Sequence, residues 1–279
     1  MSTVAAIQMT SSHIVADNLS VAGVLLREAK DAGAEIACLP ENFGFIGLRD
    51  TDKQQIAETD GDGPAQAFLR NTARELKLWI LGGTINLRDG AGGRVTNSSL
   101  LFDADGKRVA RYDKIHLFDV TIPGRHDQYR ESDTIVPGRR VVLADTPVGR
   151  LGLSVCYDMR FPELYRDLVA QGAEWLAMPA AFTVPTGIAH WEPILRARAI
   201  ENLCYVVAPA QSGTHTSGRE TYGDTLIVDY WGKILARLER GSGVITAQFD
   251  LAKQADTRAR FPALENRRLG VDSSVAVLA

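Results

Sequence analysis

The chain has 279 residues, 45% of them hydrophobic and 23% charged, with a formal net charge of -3. These are ordinary values for a soluble globular protein, and the length suits one large α/β unit. The near-neutral balance gives no electrostatic footing for nucleic acid or an anionic membrane, and there is no run of about 18 apolar residues to span one.

Strand-like and helix-like segments alternate along the chain, which predicts an α/β fold. Residues 4–9 read as a strand, with no basic leader or signal-type apolar core before it. Residues 18–32 read as an amphipathic helix with Leu19, Ala22, Leu25, Leu26 and Ala29 on one face. Asp17 is its expected cap and Gly33 its stop. Residues 35–39 form the next strand, and Glu41 stands just past its end in Leu39-Pro40-Glu41-Asn42. A helix over 64–76 turns Ala65, Phe68, Leu69, Ala73 and Leu76 inward. A strand over 79–87 follows, then a turn at Gly90, Gly92 and Gly93, and a returning strand over 95–102. Asp105-Gly106 marks a hairpin into 107–112. Lys114 lies past the end of that strand, in Tyr112-Asp113-Lys114-Ile115-His116-Leu117.

Residues 118–140 are polar and aperiodic, with Pro123-Gly124 and Pro137-Gly138. Long irregular segments inside a compact domain are often functional. Strands over 141–144 and 150–155 flank the turn at 147–149. Cys156 closes the second of them and is followed by Tyr157-Asp158-Met159-Arg160-Phe161-Pro162-Glu163. Pro162 and Glu163 suit a first helical turn, and 163–172 has helical spacing. A cysteine at such a junction points its sulfur at a helix N-terminus, where the dipole and free N–H groups favour the thiolate. On position alone, a small buried hydrophobe is an equal reading. Further on come a strand (175–178), a helix (191–202), a strand (204–209) and a Gly/Ser/Thr-rich loop (211–222). A hairpin around Trp231-Gly232, a strand (244–249) and a short helix (252–260) complete the series. No composition shift divides the chain. We therefore expect one domain over 1–279, with 261–279 as a tail. Cys38 and Cys204 sit in apolar runs and read as inert core residues; three widely spaced cysteines make no disulfide framework.

Glu41, Lys114 and Cys156 each stand at a strand end, where ligand chemistry gathers in open α/β sheets. Their three contexts resemble the nitrilase superfamily of carbon–nitrogen hydrolases, which uses a Glu-Lys-Cys triad. The resemblance runs from Ala5 to about Arg268. The Tyr-Asp-Met-Arg-Phe-Pro-Glu wording, with Ala189-His190-Trp191-Glu192 and Arg196-Ala197-Arg198-Ala199-Ile200-Glu201, is similar to the Nit branch, which contains deaminated-glutathione amidase and the ω-amidases. It implies a four-layer α-β-β-α sandwich and a thiol amidohydrolase. The enzyme would release ammonia from a small carboxamide through a Cys thioester. α-Keto acid amides and N-carbamoyl compounds are the alternative substrates, and a catalytically dead scaffold is the non-enzyme alternative.

The resemblance also implies roles. Cys156 is the nucleophile, Glu41 the proton shuttle, and Lys114 the stabiliser of the tetrahedral oxygen. The Tyr157 backbone N–H is a second oxyanion donor. Glu131 supports the lysine or orients substrate. Phe182 and Thr183 line the pocket. Arg160 either binds a substrate carboxylate or pairs with Asp158 or Glu163, and His190 packs at a helix start. This chemistry needs side chains and water, so no cofactor or metal is expected. The expected partner is a small amide. A homodimer or higher homo-oligomer formed through helical faces and a reducing cytoplasm complete the expectation.

Overall fold

A computed structural model describes residues 1–89, 93–122 and 128–268. The turn expected at Gly90 and Gly92, the Pro123-Gly124 pair and the end of the tail lie outside the described residues. The first half runs β1 (Ser2–Gln8), α1 (Val15–Asp31), β2 (Ile36–Cys38), α2 (Asp52–Gln55), α3 (Pro64–Leu76), β3 (Trp79–Leu81), β4 (Ile85–Arg88), β5 (Val95–Phe102) and β6 (Arg108–Asp113). A small hairpin, β7 (Asp119–Thr121) and β8 (Gln128–Arg130), precedes the second half. That half runs β9 (Leu143–Thr146), β10 (Gly149–Leu153), α4 (Pro162–Ala170), β11 (Trp175–Ala177), α5 (Val184–Asn202), β12 (Tyr205–Ala208), β13 (Ser212–Thr214), β14 (Glu220–Tyr222), β15 (Thr225–Val228), β16 (Ile234–Leu238), β17 (Gly243–Phe249) and α6 (Leu251–Arg260).

Two sheets carry the fold. The first has the order β17-β1-β2-β3-β5-β4, with β6 on the other side of β5; the second has the order β16-β15-β12-β11-β10-β9. The period-two alternation of strand side chains explains the layering. Along β1, Val4 and Ala6 join the core shared with the second sheet, while Ala5 and Ile7 join the core under α1 and α3. β2 does the same with Ile36 and Cys38 against Ala37. α4 and α5 cover the outer face of the second sheet, through Leu164, Tyr165, Leu168, Trp191, Leu195 and Ala199. The result is the expected four-layer α-β-β-α sandwich.

Several boundaries differ from the sequence expectation, each for a local reason. α1 begins at Val15, so Asp17 sits in the first turn and caps nothing. Asn18 instead ties down the preceding loop through Ser12 and Gly44. The single strand expected over 79–87 is two, β3 and β4, which pair with successive stretches of β5. The break falls at Gly82-Gly83. Gly83 has φ +44, and a Cβ there would overlap the Pro40 carbonyl. Only glycine combines that backbone with so close an approach, and the approach fixes the segment that carries Glu41. α5 starts seven residues before the expected 191, because Pro185 opens it and Pro193 lies inside it. The Gly/Ser/Thr-rich loop is a hairpin, β13–β14, and the aperiodic 118–140 segment contains β7–β8.

Candidate active site

The site collects at the ends of β2, β6, β10 and β11. Glu41, Lys114 and Cys156 meet there, and Glu131 joins them from a 3₁₀ turn after β8. Lys114 is 2% exposed, Glu41 3% and Cys156 8%. The Lys114 ammonium donates to Glu41 Oε1 at 3.1 Å and to Glu131 Oε1 and Oε2 at 3.1 and 2.9 Å. Glu41 Oε2 accepts from the Ala181 backbone N–H at 2.9 Å. Glu131 Oε2 accepts from the Phe118 N–H at 2.7 Å. Each carboxylate is thus held at both ends. An ammonium has three donors, and all three face the two carboxylates, so an incoming oxygen takes over one of the two Glu131 contacts.

Asn97 completes this cluster and was missed in the sequence. Its Nδ2 donates to Glu41 Oε1 at 3.0 Å and lies 3.5 Å from Glu131 Oε1. The available signal was a polar run, Thr96-Asn97-Ser98-Ser99, inside a strand whose every residue is buried. A buried polar strand residue needs a partner, and here the partners are the two glutamates.

The electrostatics are those of a crowded, dry site. Burial alone would lower the pKa of Lys114, but the Glu131 and Glu41 carboxylates raise it well above the usual value. Burial raises the Glu131 carboxyl while Lys114 pulls it down, and the net direction is down. Both partners therefore stay charged near neutrality. Cys156 goes the other way. Burial pushes its thiol well up, the adjacent Glu41 carboxylate adds to this, and Lys114 and the Ala181 N–H act against them. Cys156 and Glu41 line the same chamber. The expectation of a thiolate favoured by a helix N-terminus is corrected here. Cys156 opens a 3₁₀ turn, Cys156–Arg160, and α4 begins only at Pro162. The resting sulfur is a protonated thiol beside a base.

Cys156 has φ +50, a left-handed conformation that costs a side-chain-bearing residue on the order of 1–3 kcal/mol and persists only where its surroundings enforce it. Its N–H donates to the Pro179 carbonyl at 2.9 Å. The turn is clamped by Asp158, which is fully buried. One Asp158 oxygen accepts from the Val155 N–H at 2.8 Å and the Tyr112 hydroxyl at 2.7 Å. The other accepts from the His116 N–H at 2.9 Å and lies 2.8 Å from His116 Nδ1. Tyr112 and His116 flank Lys114, so one carboxylate fixes the cysteine elbow to the lysine loop.

The remaining expected residues divide. Phe182 and Thr183 line the chamber with Cys156. Phe182 packs on Trp191, and the Thr183 hydroxyl meets that of Thr186 at 2.8 Å. The Tyr157 ring stands edge-on to Phe118 and Phe161. Arg160 makes neither ion pair suggested for it. Asp158 is occupied by the clamp, and the Arg160 guanidinium lies over the rings of Tyr157 and Phe182 and contacts His190 Nδ1 at 3.3 Å. His190 is an exposed residue well inside α5, not at its start.

A family model for carbon-nitrogen hydrolase matches residues 3–259. The chain belongs to that family. The carbon–nitrogen hydrolase is 42% identical over 267 residues to a deaminated glutathione amidase of Yersinia enterocolitica, covering 95% of this chain and 92% of the relative. It superposes on the crystal structure of the Caenorhabditis elegans NitFhit protein with TM-score 0.89 at 40% identity, covering 96% of this chain and 65% of the other. For Saccharomyces cerevisiae Nit3, a member of branch 10 of the nitrilase superfamily, the TM-score is 0.85 at 30% identity, with 96% and 97% covered. The fold and the Nit-branch resemblance stand. The enzyme is an amidase-type hydrolase of non-peptide carbon–nitrogen bonds. Among the described residues, no helix is long and apolar enough to cross a membrane.

The clamp makes a prediction. Asp158→Asn keeps the shape but turns one acceptor oxygen into a donor facing donors. We expect kcat to fall on the order of 10²-fold, the scale of an ångström-sized misplacement, with a lowered melting temperature. Wild-type kcat in Asp158→Asn would show that the elbow holds itself.

Proposed function

We propose that this hydrolase cleaves deaminated glutathione through a Cys156 thioester. The carrying observation is the Cys156 thiol facing the same small chamber as Glu41, with Lys114 held between Glu41 and Glu131. Glu41 takes the thiol proton as sulfur attacks the carbonyl carbon, so charge is created only when it is used. The Lys114 ammonium and the Tyr157 backbone N–H donate to the oxygen that becomes negative. Glu41 passes the proton to the departing nitrogen, and the C–N bond breaks. Water then enters, gives a proton to Glu41 and opens the thioester; the acid leaves and the thiol is restored. Glu131 keeps Lys114 charged and in place. With a primary carboxamide the leaving group is ammonia. Glutathione has only substituted amides, so from its deaminated form the leaving group is the amine of a dipeptide.

Identity near 40% to relatives named deaminated glutathione amidase, over most of both chains, supports this substrate. Exposed Ile188 and Ile200 on α5, with exposed Trp231, support a homodimer through the α4–α5 face. A reducing cytoplasm suits a thiol nucleophile. The test is mass-spectrometric detection of the dicarboxylic 2-oxo acid and cysteinylglycine from deaminated glutathione, run beside 2-oxoglutaramate and N-carbamoyl amino acids. Deaminated glutathione should give the highest kcat/KM. Turnover of 2-oxoglutaramate alone would transfer the proposal to ω-amidase activity.

A further inference from the structure

The reacting groups sit in an inner chamber of only about 70 Å³, while an outer chamber of about 580 Å³ opens above it. The two share a throat, and Lys53 and Arg219 are in the wall of both. Neither belongs to the catalytic cluster. Lys53 comes from α2 and Arg219 from the turn between β13 and β14.

Their charges are not used up by the protein. Among the described residues Lys53 forms no ion pair. Arg219 donates one bond, from Nη2 to the Ala181 carbonyl at 3.1 Å, and its buried Nε has no partner. A guanidinium has five N–H donors, so most are uncommitted. Acidic Asp50 also lines both chambers and Glu220 the outer one, but both are exposed, where water screens them. The unpaired Lys53 ammonium and the uncommitted Arg219 donors can take one carboxylate from a ligand. Burial holds the pKa of Lys53 down despite Glu131 and Asp50, which an arriving anion would relieve.

The direction of the reaction says which carboxylate this is. The acyl group remains on Cys156 while the amine departs. With the acyl group held on Cys156 in the inner chamber, the amine lies toward the throat and leaves through it. We infer that Lys53 and Arg219 form a collar that binds a carboxylate carried by the leaving amine, which selects amides of amino acids and peptides over primary amides. The inference rests on the amidase reading and deepens it.

The test holds the acyl group constant. N-glutarylglycine and N-methylglutaramate differ in the leaving-group carboxylate, and glutarate release is followed by mass spectrometry. For wild type, kcat/KM should favour N-glutarylglycine. Lys53→Met and Arg219→Met should each lower the ratio of the two kcat/KM values by 10- to 100-fold, mainly through KM, and Lys53→Arg should restore most of it. An equal loss on both substrates, or an unchanged ratio, would overturn the collar. Titration of N-glutarylglycine into Cys156→Ala protein, with and without Lys53→Met, reads the contact without turnover and should show at least a tenfold weaker Kd. If wild type hydrolyses neither compound yet the titration shows that weakening, the amidase reading fails and the collar stands. Hydrolysis of both with no change in ratio or Kd leaves the amidase and removes the collar.

Discussion

Replacing Cys156 by alanine should abolish turnover and leave the fold intact. The side chain is small and stands against a cavity, so little packing is lost and alanine tolerates the elbow as well as cysteine does. Serine should fail as well: Glu41 would have to take a proton from a hydroxyl far less acidic than a thiol. Alkylation gives a second reading. All three cysteines have raised pKa values, with burial pushing Cys204 up to about 12 and Cys38 further. Reactivity is then decided by access and by an adjacent base. Cys156 alone lines the chamber and has Glu41 beside it. Iodoacetamide should modify Cys156 well before Cys38 or Cys204. Because its resting form is the thiol, the alkylation rate should keep rising with pH beyond the range of an ordinary cysteine. Equal labelling of the three would remove the nucleophile assignment.

The second large effect is at Lys114. Lys114→Ala should lower kcat on the order of 10²-fold or more, the scale of a lost oxyanion donor. It also leaves Glu41 and Glu131 facing each other without a cation, and breaking a buried pair in this way costs roughly 3–5 kcal/mol. Lost folding and lost catalysis must therefore be separated. Adding Glu131→Gln removes one of the two repelling carboxylates, so the double variant should regain melting temperature without regaining kcat. Lys114→Arg should rescue poorly, because a planar fork does not replace a compact ammonium inside this cluster. Alkylation of Cys156 should slow in Lys114→Ala, since Lys114 lowers the thiol pKa. Recovery of kcat in the double variant would mean that Lys114 is only a structural counter-charge. Glu41→Gln keeps the Ala181 contact region filled but has no base, so acylation and thioester hydrolysis should both fail.

The parts of this site that follow strands were legible in the sequence. Glu41, Lys114 and Cys156 each trail an apolar run, and the helix over Pro64–Leu76 and the strand over Val95–Phe102 have their expected limits. Glu131 was placed in the right loop, though that loop folds into a hairpin and a 3₁₀ turn that aperiodic sequence does not announce. What was not legible depends on long-range approach. Asn97 joins the cluster only because Glu41 and Glu131 come to it from 56 and 34 residues away. Arg219 lies in a segment read as a loop, and Lys53 in a four-residue helix with no buried residue of its own. The state of Cys156 was misjudged because periodicity places helix α4 near it but cannot show the intervening turn. Burial, with the Glu41 charge beside the sulfur, rather than the dipole, then sets the thiol.

The most direct measurement is acid quenching of the wild-type enzyme during turnover of N-glutarylglycine, followed by peptide mapping by mass spectrometry. The mechanism predicts a glutaryl group on the peptide that carries Cys156, and neither adduct nor hydrolysis in Cys156→Ala. A glutaryl group on another residue, or continued hydrolysis by Cys156→Ala, would contradict it.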